Sequence, residues 1–174
     1  RENGELAYPV LDLPGVQGPP SQEEPPGLWG GGLLAPEFIL PLWDLAFGRE
    51  VEVANTPAVD PVTGRIFITA AGSTETQGVM YGIDTSVQGA AIAFTAPMGA
   101  GSGTSPAISP DGRFIYGIDD TGIMVAIDTA NGERAWEAAG TMGQASPSVG
   151  PDGTVYSFDG IKGSIVALDG LSGN

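Results

Sequence analysis

The chain has 174 residues, of which 21 are acidic and six are basic, so its formal net charge at pH 7 is −15. This balance disfavours binding to nucleic acid phosphates and to anionic lipid surfaces, which require clustered Lys and Arg. The chain has no histidine and no cysteine. Imidazole and thiolate chemistry, disulfides and most zinc or haem ligation are therefore excluded within it. No run of 18 apolar residues is present, and no membrane span is predicted.

The first 41 residues differ in composition from the rest of the chain. They hold eight of the fifteen prolines, which favour extended or polyproline conformations over helix. We therefore predict an extended Pro/Gly-rich arm at 1–41 and a folded domain from 42 to 174. Three large apolar residues in the arm are candidate partner contacts: Trp29, Leu33 and Phe38. An arm lying on the folded domain or on a partner, a flexible linker and a local cap all remain open.

From residue 54 onward the sequence repeats. Ser105-Pro106 recurs as Ser146-Pro147 after 41 residues, and the same interval separates Asp128 from Asp169. A looser copy begins near Asn55, so the repeats span about 54–97, 102–140 and 144–174. A period in the low forties that is built from short strands is typical of β-propeller blades, each a four-stranded antiparallel sheet. The predicted fold class is all-β.

The middle repeat shows the strands most clearly. Runs of apolar and β-branched residues predict strands A to D, and Pro-Asp-Gly and Asn-Gly turns separate them. The four predicted strands are A at 104–109, B at 113–118, C at 123–128 and D at 133–138. We expect four strands in 54–97, three in 144–169 and one outer strand at 42–47, and no helix of useful length from 50 to 174.

One repeat also resembles a known family. The pattern Ala126-x-Asp128-x-x-Asn131-Gly132-x-x-x-Trp136 is similar to the tryptophan-docking repeat of pyrroloquinoline-quinone-type propellers, whether BamB-like or quinoprotein-like, with Asn where Thr is usual. The following copy begins the same motif. In the preceding copy, Ile92 stands at the tryptophan position. The strand-B region of the middle repeat also resembles YVTN-type and WD40-like propellers.

The resemblance implies a structural role for the motif residues. In that family the alanine, the aspartate–turn segment and the tryptophan lock neighbouring blades together, and we expect Trp136 to be buried between blades. The predicted docking residues are Trp43, Ala126, Asp128, Gly132, Trp136, Ala167 and Asp169. No catalytic, cofactor-binding or metal-binding residues are predicted.

Two other segments could carry chemistry. Gly99–Gly103 is glycine-rich but lacks the Lys and the helix of a phosphate loop, so a flexible link between blades is expected. Asp119, Asp120 and Asp159 occupy matching turns after strand B, where carboxylate oxygens could bind calcium. Solvated turns are favoured there, because no spaced ladder of Asp or Asn follows.

Three blades' worth of strands cannot close a ring, since propellers have about four to eight blades. We expect the chain to be a piece of a larger propeller; two copies making six blades and a short open stack are the alternatives. An open sheet edge invites pairing, so another segment or another chain is expected beside Ile165–Leu168.

The function expected from these features is that of an exported, non-catalytic propeller, either extracellular or periplasmic. It would serve as a scaffold or interaction protein within a larger assembly, with a protein partner or an additional chain completing the ring. The alternative is a fragment of a quinoprotein dehydrogenase whose active site lies mainly in blades missing from this chain. The resemblance then implies a quinone on the central axis with calcium and a catalytic aspartate. Pyrroloquinoline quinone and calcium are expected only under that alternative.

Overall fold

The computed structural model describes residues 55–71, 77–86, 89–101, 104–139 and 145–174. Within these ranges the chain forms eleven strands and no helix, so no helix here is able to span a membrane. The strands build three antiparallel sheets of four, four and three strands. The predicted all-β blade repeats are confirmed. The predicted arm with Trp29, Leu33 and Phe38, and the strand with Trp43, lie outside the described residues, and the division at residue 42 stays a prediction.

Each sheet is one blade, in which successive strands pair side by side. Blade 1 consists of β1 (Ala58–Val59), β2 (Ile66–Ala71), β3 (Gly78–Ser86) and β4 (Gly89–Pro97). Blade 2 consists of β5 (Ala107–Ile108), β6 (Phe114–Ile118), β7 (Ile123–Asp128) and β8 (Arg134–Ala139). Blade 3 consists of β9 (Ser148–Val149), β10 (Thr154–Asp159) and β11 (Ser164–Asp169). The short inner strand β5 contacts both β1 and β9.

Hydrogen bonds in the turn between the first two strands of each blade show which residues of the three copies are equivalent. The N–H groups of Asp60, Ser109 and Gly150 donate to the carbonyls of Arg65, Phe114 and Thr154, respectively. Those three acceptors are therefore equivalent positions. In the sequence, matching Pro110-Asp111-Gly112 with Pro151-Asp152-Gly153 aligns Arg113 with Thr154. The structure aligns Phe114 with Thr154 instead, because the blade 2 turn holds one residue more than the blade 3 turn.

Side chains alternate between two faces of each blade. We call the face toward the next blade along the chain the forward face, and the opposite one the rear face. Phe67 and Met80 on the forward face of blade 1 are fully buried against Ile115, Val125 and Ile127 on the rear face of blade 2. The first two blades thus share one hydrophobic core.

The second interface repeats this arrangement. Tyr116, Ile118 and Met124 on the forward face of blade 2 are at most 1% exposed, and they pack against Val155 and Leu168 of blade 3. Burying side chains of this size contributes about 1.5–3 kcal/mol each. Stacking of consecutive blades therefore supplies most of the core.

Residues 99–101 are closely packed, whereas the composition of Gly99–Gly103 suggests a flexible link. A Cβ atom at Gly99 would overlap the carboxylate of Asp119, and one at Gly101 would overlap that of Asp120. The carbonyl of Ala100 also accepts a hydrogen bond from the Asp120 N–H at 2.9 Å. Glycine is required here because the two segments approach so closely.

Candidate blade-docking site

Trp136 joins blades 2 and 3. It lies on β8 opposite Ala126 of β7, and its Nε1–H donates to the carbonyl of Gly170 in blade 3 at 2.9 Å. Gly173 of the same blade 3 turn lies so close to the indole that a Cβ atom there would overlap the ring. The conformation of Gly173, with φ of 75°, also favours glycine. A single aromatic side chain thus contacts the next blade through both a hydrogen bond and a ring face.

The indole is half-buried, although the motif suggested full burial between blades. The reason is its position on β8, which is the outer strand of its sheet. One side of the ring packs on Tyr116, with ring centroids 5.7 Å apart. The side chain therefore stays partly accessible to solvent.

Tyr116 supplies a second hydrogen bond to the same acceptor. Its hydroxyl donates to the Gly170 carbonyl at 3.1 Å, and the side chain is 1% exposed. Burial raises the pKa of the phenol to about 12, and the negative charges of Asp111 and Asp169 act in the same direction. The Gly170 carbonyl therefore receives two donors from blade 2.

The turn that presents Gly170 and Gly173 is shaped by Asp169 at the end of β11. Its carboxylate accepts hydrogen bonds from the Ser172 hydroxyl and from the N–H groups of Leu171 and Ser172. These bonds, with that of the Ser172 hydroxyl foremost, lower the pKa of Asp169. Asp128 acts similarly in blade 2, where it accepts the Ala130 N–H at 2.9 Å.

The aromatic residue between blades 1 and 2 is Phe94, and the assignment of Ile92 to the tryptophan position was wrong. Phe94 pairs with Gly82 as Trp136 pairs with Ala126. Its ring packs against Gly132 of blade 2, where a Cβ atom would overlap it. The hairpin of β3 and β4 is two residues longer than that of β7 and β8, so counting from the aspartate gave the wrong position. Ile92 packs on the rear face of blade 1.

Arg65 adds a charged contact between blades 1 and 2. Its Nε donates to the Asp84 carboxylate at 2.6 Å and its Nη2 donates at 3.1 Å, while Nη1 donates to the carbonyl of Thr129 in blade 2. The hydrogen bond from Arg65 is also the main cause of the lowered pKa of Asp84. The guanidinium therefore holds the C–D turn of blade 2 against the end of blade 1.

The Ser-Pro signature provides another contact that passes from blade to blade. The N–H of Thr56 donates to the hydroxyl of Ser105 at 3.0 Å, and the N–H of Ser105 donates to the hydroxyl of Ser146 at 3.2 Å. Each hydroxyl thus accepts from the equivalent residue of the preceding blade. This explains why a hydroxyl residue precedes proline in the second and third copies.

The turns considered for calcium are built differently from what was expected. Asp119 and Asp159 are each 2% exposed, so they are not solvated, whereas Asp120 is exposed as expected. Asp119 accepts hydrogen bonds from the N–H groups of Thr121 and Ile123, and Asp159 accepts from those of Ile161 and Lys162. Among the described residues no cluster of three or more acidic side chains is arranged to hold a metal ion.

Shallow clefts separate the A–B turns of neighbouring blades. One of them, about 460 Å³ in volume, includes Asp60, Asp111 and Arg113 in its lining. Hydrogen bonds from the hydroxyls of Thr63 and Ser109 are the main cause of the lowered pKa values of Asp60 and Asp111. The guanidinium of Arg113 lies 4.8 Å from the ring centroid of Phe114. These carboxylates are ionised and are already held by their own turns.

Sequence reasoning missed Phe94, Tyr116, Arg65 and Gly170 as contacts between blades. A usable signal existed for Tyr116, because an aromatic residue recurs at its position in β2, β6 and β10, as Phe67, Tyr116 and Tyr156. The one-residue shift at the A–B turn hid this recurrence. Arg65 and Gly170 gave no comparable signal, since each makes its contact in one interface.

Two solved structures with low sequence identity share this architecture. BamB from Moraxella catarrhalis is 21% identical with a TM-score of 0.54, over 70% of this chain and 36% of BamB. A europium-containing methanol dehydrogenase is 19% identical with a TM-score of 0.54, over 70% of this chain and 24% of the enzyme. No family model and no curated protein sequence matches the chain.

These likenesses show the fold. The three sheets are consecutive blades of a β-propeller of the kind found in BamB and in the europium-containing methanol dehydrogenase, and the described residues form an unclosed portion of one. The chain spans 36% of the first relative and 24% of the second. Activities and partners of those proteins do not follow from the shared fold.

We predict that Trp136→Ala lowers the free energy of unfolding by about 3 kcal/mol, at the low end for truncation of a large aromatic side chain, because the indole is half-buried. Trp136→Phe keeps a ring in place, as Phe94 does in blade 1, and loses roughly 1 kcal/mol with the hydrogen bond. Urea unfolding measures both. Equal losses for the two variants would contradict packing of the ring as the main contribution.

The raised pKa of Tyr116 predicts that the folded chain loses stability at alkaline pH. Its pKa in the folded chain is about 12, above the ordinary value of 10.0, so the folded state holds the proton more tightly than the unfolded state. The associated stability is complete below pH 10 and is lost as the pH rises toward 12. We expect the unfolding free energy to fall across this window, and to fall less in Tyr116→Phe. An identical pH profile for the two proteins would refute this.

Proposed function

We propose that this chain is part of an exported, non-catalytic propeller that acts as an interaction scaffold in a larger assembly. The observation that carries the proposal is that carboxylates of the described blades are hydrogen-bonded to groups of the blades themselves. The carboxylates of Asp60, Asp84, Asp111 and Asp169 accept hydrogen bonds within their own blades. Their pKa values are lowered, which is the opposite of a group tuned as a general acid at neutral pH.

The charge of the chain supports a role outside the cytoplasm and a partner that is neither nucleic acid nor membrane. A net charge of −15 with a single lysine favours solubility and repels polyanions. Immunoblotting of cell fractions from the source organism tests the location. The chain is expected in the extracellular or periplasmic fraction, and recovery in the cytoplasm alone would contradict export.

The arm at 1–41 is proposed to contact a partner or the blades through Trp29, Leu33 and Phe38, because apolar side chains of this size are unfavourable in water. Limited proteolysis of the native assembly tests this. Protection of the arm in the assembly and cleavage in the isolated chain support a partner contact. Cleavage of the arm in both samples would contradict any packed role.

Titration with pyrroloquinoline quinone and Ca²⁺ tests the non-catalytic assignment. We expect no saturable change in quinone absorbance or in tryptophan fluorescence, because the turn carboxylates are already hydrogen-bonded. A parallel titration without Ca²⁺ controls for nonspecific association of the quinone. Calcium-dependent binding of one quinone per chain would overturn the proposal and would favour the dehydrogenase alternative.

A further inference from the structure

Two of the clefts between A–B turns occupy equivalent positions. The first cleft lies between blades 1 and 2 and includes Phe67 in its lining. The second cleft lies between blades 2 and 3, has a volume of about 270 Å³ and includes Tyr116. Strand register makes these two residues equivalent, because each pairs with the small residue of its strand C. Both interfaces between described blades therefore carry a cleft at the same level.

The first cleft contains an arginine of the chain itself. Arg65 lines this cleft and donates hydrogen bonds to the Asp84 carboxylate and to the Thr129 carbonyl. The equivalent position in the second cleft is Phe114, because the Arg65 and Phe114 carbonyls accept the same turn hydrogen bond. No Lys or Arg is among the described residues that line the second cleft. The two clefts therefore differ in whether the chain supplies a cation.

Three carboxylates line the second cleft, those of Asp111, Asp152 and Asp169. Hydrogen bonds from their own turns reach Oδ1 in each case. In the part of the chain that the structure describes, no hydrogen bond reaches Oδ2 of Asp111 or Asp169. Arg113 adds one positive charge beside the cleft, since its guanidinium lies 4.8 Å from the Phe114 ring centroid. A net negative charge therefore remains around the second cleft.

Two of these charges act on the same buried phenol. Burial is the main cause of the raised pKa of Tyr116, and the negative charges of Asp111 and Asp169 raise this pKa further. Asp111 belongs to blade 2 and Asp169 to blade 3, so the two carboxylates approach the second cleft from different blades. A single cation placed between them would interact favourably with both.

The walls and the size of the second cleft favour an organic cation. Pro110, Pro151 and Leu171 line it, and Leu171 is 68% exposed; such surfaces pack well against the aliphatic stem of a long basic side chain. The cleft is smaller than the pockets of roughly 300–1,000 Å³ that hold small-molecule ligands. Among the described residues no three acidic side chains are placed to hold a metal ion. A single side chain of a protein therefore fits the cleft best.

We propose that the second cleft binds an arginine side chain presented by the protein partner, with its guanidinium donating to carboxylates of both blades. This inference rests on the proposed function and names the chemistry of the partner. Arginine is favoured over lysine because its planar fork donates to two carboxylates at once. Arg65 shows that a guanidinium is accommodated between two blades at this level.

Titration of the full chain with the peptide acetyl-Gly-Arg-Gly-amide, followed in amide NMR spectra, tests the proposal. We expect saturable shifts in the signals of Gly153, Gly170 and Leu171, which line the second cleft. The matched control peptide carries citrulline, which keeps the shape of arginine and lacks its charge. We expect the citrulline peptide to bind about tenfold more weakly, because charge-assisted hydrogen bonds are the stronger ones. A lysine peptide is expected to lie between the two.

Matched variants of the full chain locate the binding. Asp152→Asn keeps an oxygen acceptor for its turn but removes the charge, and is expected to weaken binding about three- to fivefold, as for one partly exposed ion pair. Leu171→Lys supplies a cation from the chain itself, as Arg65 does in the first cleft, and is expected to remove most of the binding. Glu133→Gln makes the same change in net charge as Asp152→Asn at a residue outside the second cleft, and is expected to leave binding unchanged.

Several outcomes would overturn the proposal: no saturable shifts, equal affinity for the arginine and citrulline peptides, affinity retained in Asp152→Asn and Leu171→Lys, or an equal loss in Glu133→Gln. A lysine peptide that binds as tightly as the arginine peptide would overturn the choice of arginine. Binding that appears only after Arg1→Gln or Arg49→Gln would assign the cleft to this chain's own arginine instead of a partner.

The scaffold function and the arginine site fail by different measurements. Calcium-dependent quinone binding, read from quinone absorbance, would overturn the scaffold function and does not involve the peptide. Absence of peptide binding in a chain that also binds no quinone would overturn the arginine site alone.

Discussion

The stacking of each blade's forward face on the rear face of the next is the interaction on which the rest of the structure depends. A single repeat unit of this kind cannot bury its apolar faces alone and is stabilised by its neighbours. Phe67 and Tyr116 become fully buried only because the following blade covers them. The chain is therefore held together by nearest-neighbour contacts, as in other repeat proteins.

Polar contacts give these apolar interfaces a defined position. The Gly170 carbonyl accepts hydrogen bonds from the Tyr116 hydroxyl and the Trp136 indole. The Arg65 guanidinium donates both to Asp84 and to the Thr129 carbonyl of the next blade. These bonds require a particular register between sheets, whereas apolar contact alone allows sliding. This arrangement also explains why the resemblance to pyrroloquinoline-quinone-type propellers lies in turns and aromatic residues: these are the parts that contact a neighbouring blade.

Sequence patterns were sufficient for the fold and for part of the docking site. The 41-residue interval and the Pro-Asp-Gly turns predicted the blades and most strand positions, because strand alternation and turn chemistry are local. Phe94 could not be located by counting, because a hairpin longer by two residues moved the aromatic residue while keeping its partner Gly82. The burial of Asp119 likewise depends on the close approach of Gly99, a contact between segments that local pattern does not reveal.

Native-state hydrogen exchange of the third strand in each blade tests this account most directly. In β7 both faces are covered by neighbouring blades, whereas the forward face of β11 is exposed and no described strand lies along its outer edge. The account predicts the slowest exchange for amides of Ile123–Asp128 and much faster exchange for those of Ser164–Asp169 in the monomeric chain. Equal protection of the two strands in a monomer would contradict the dependence of each blade on the next.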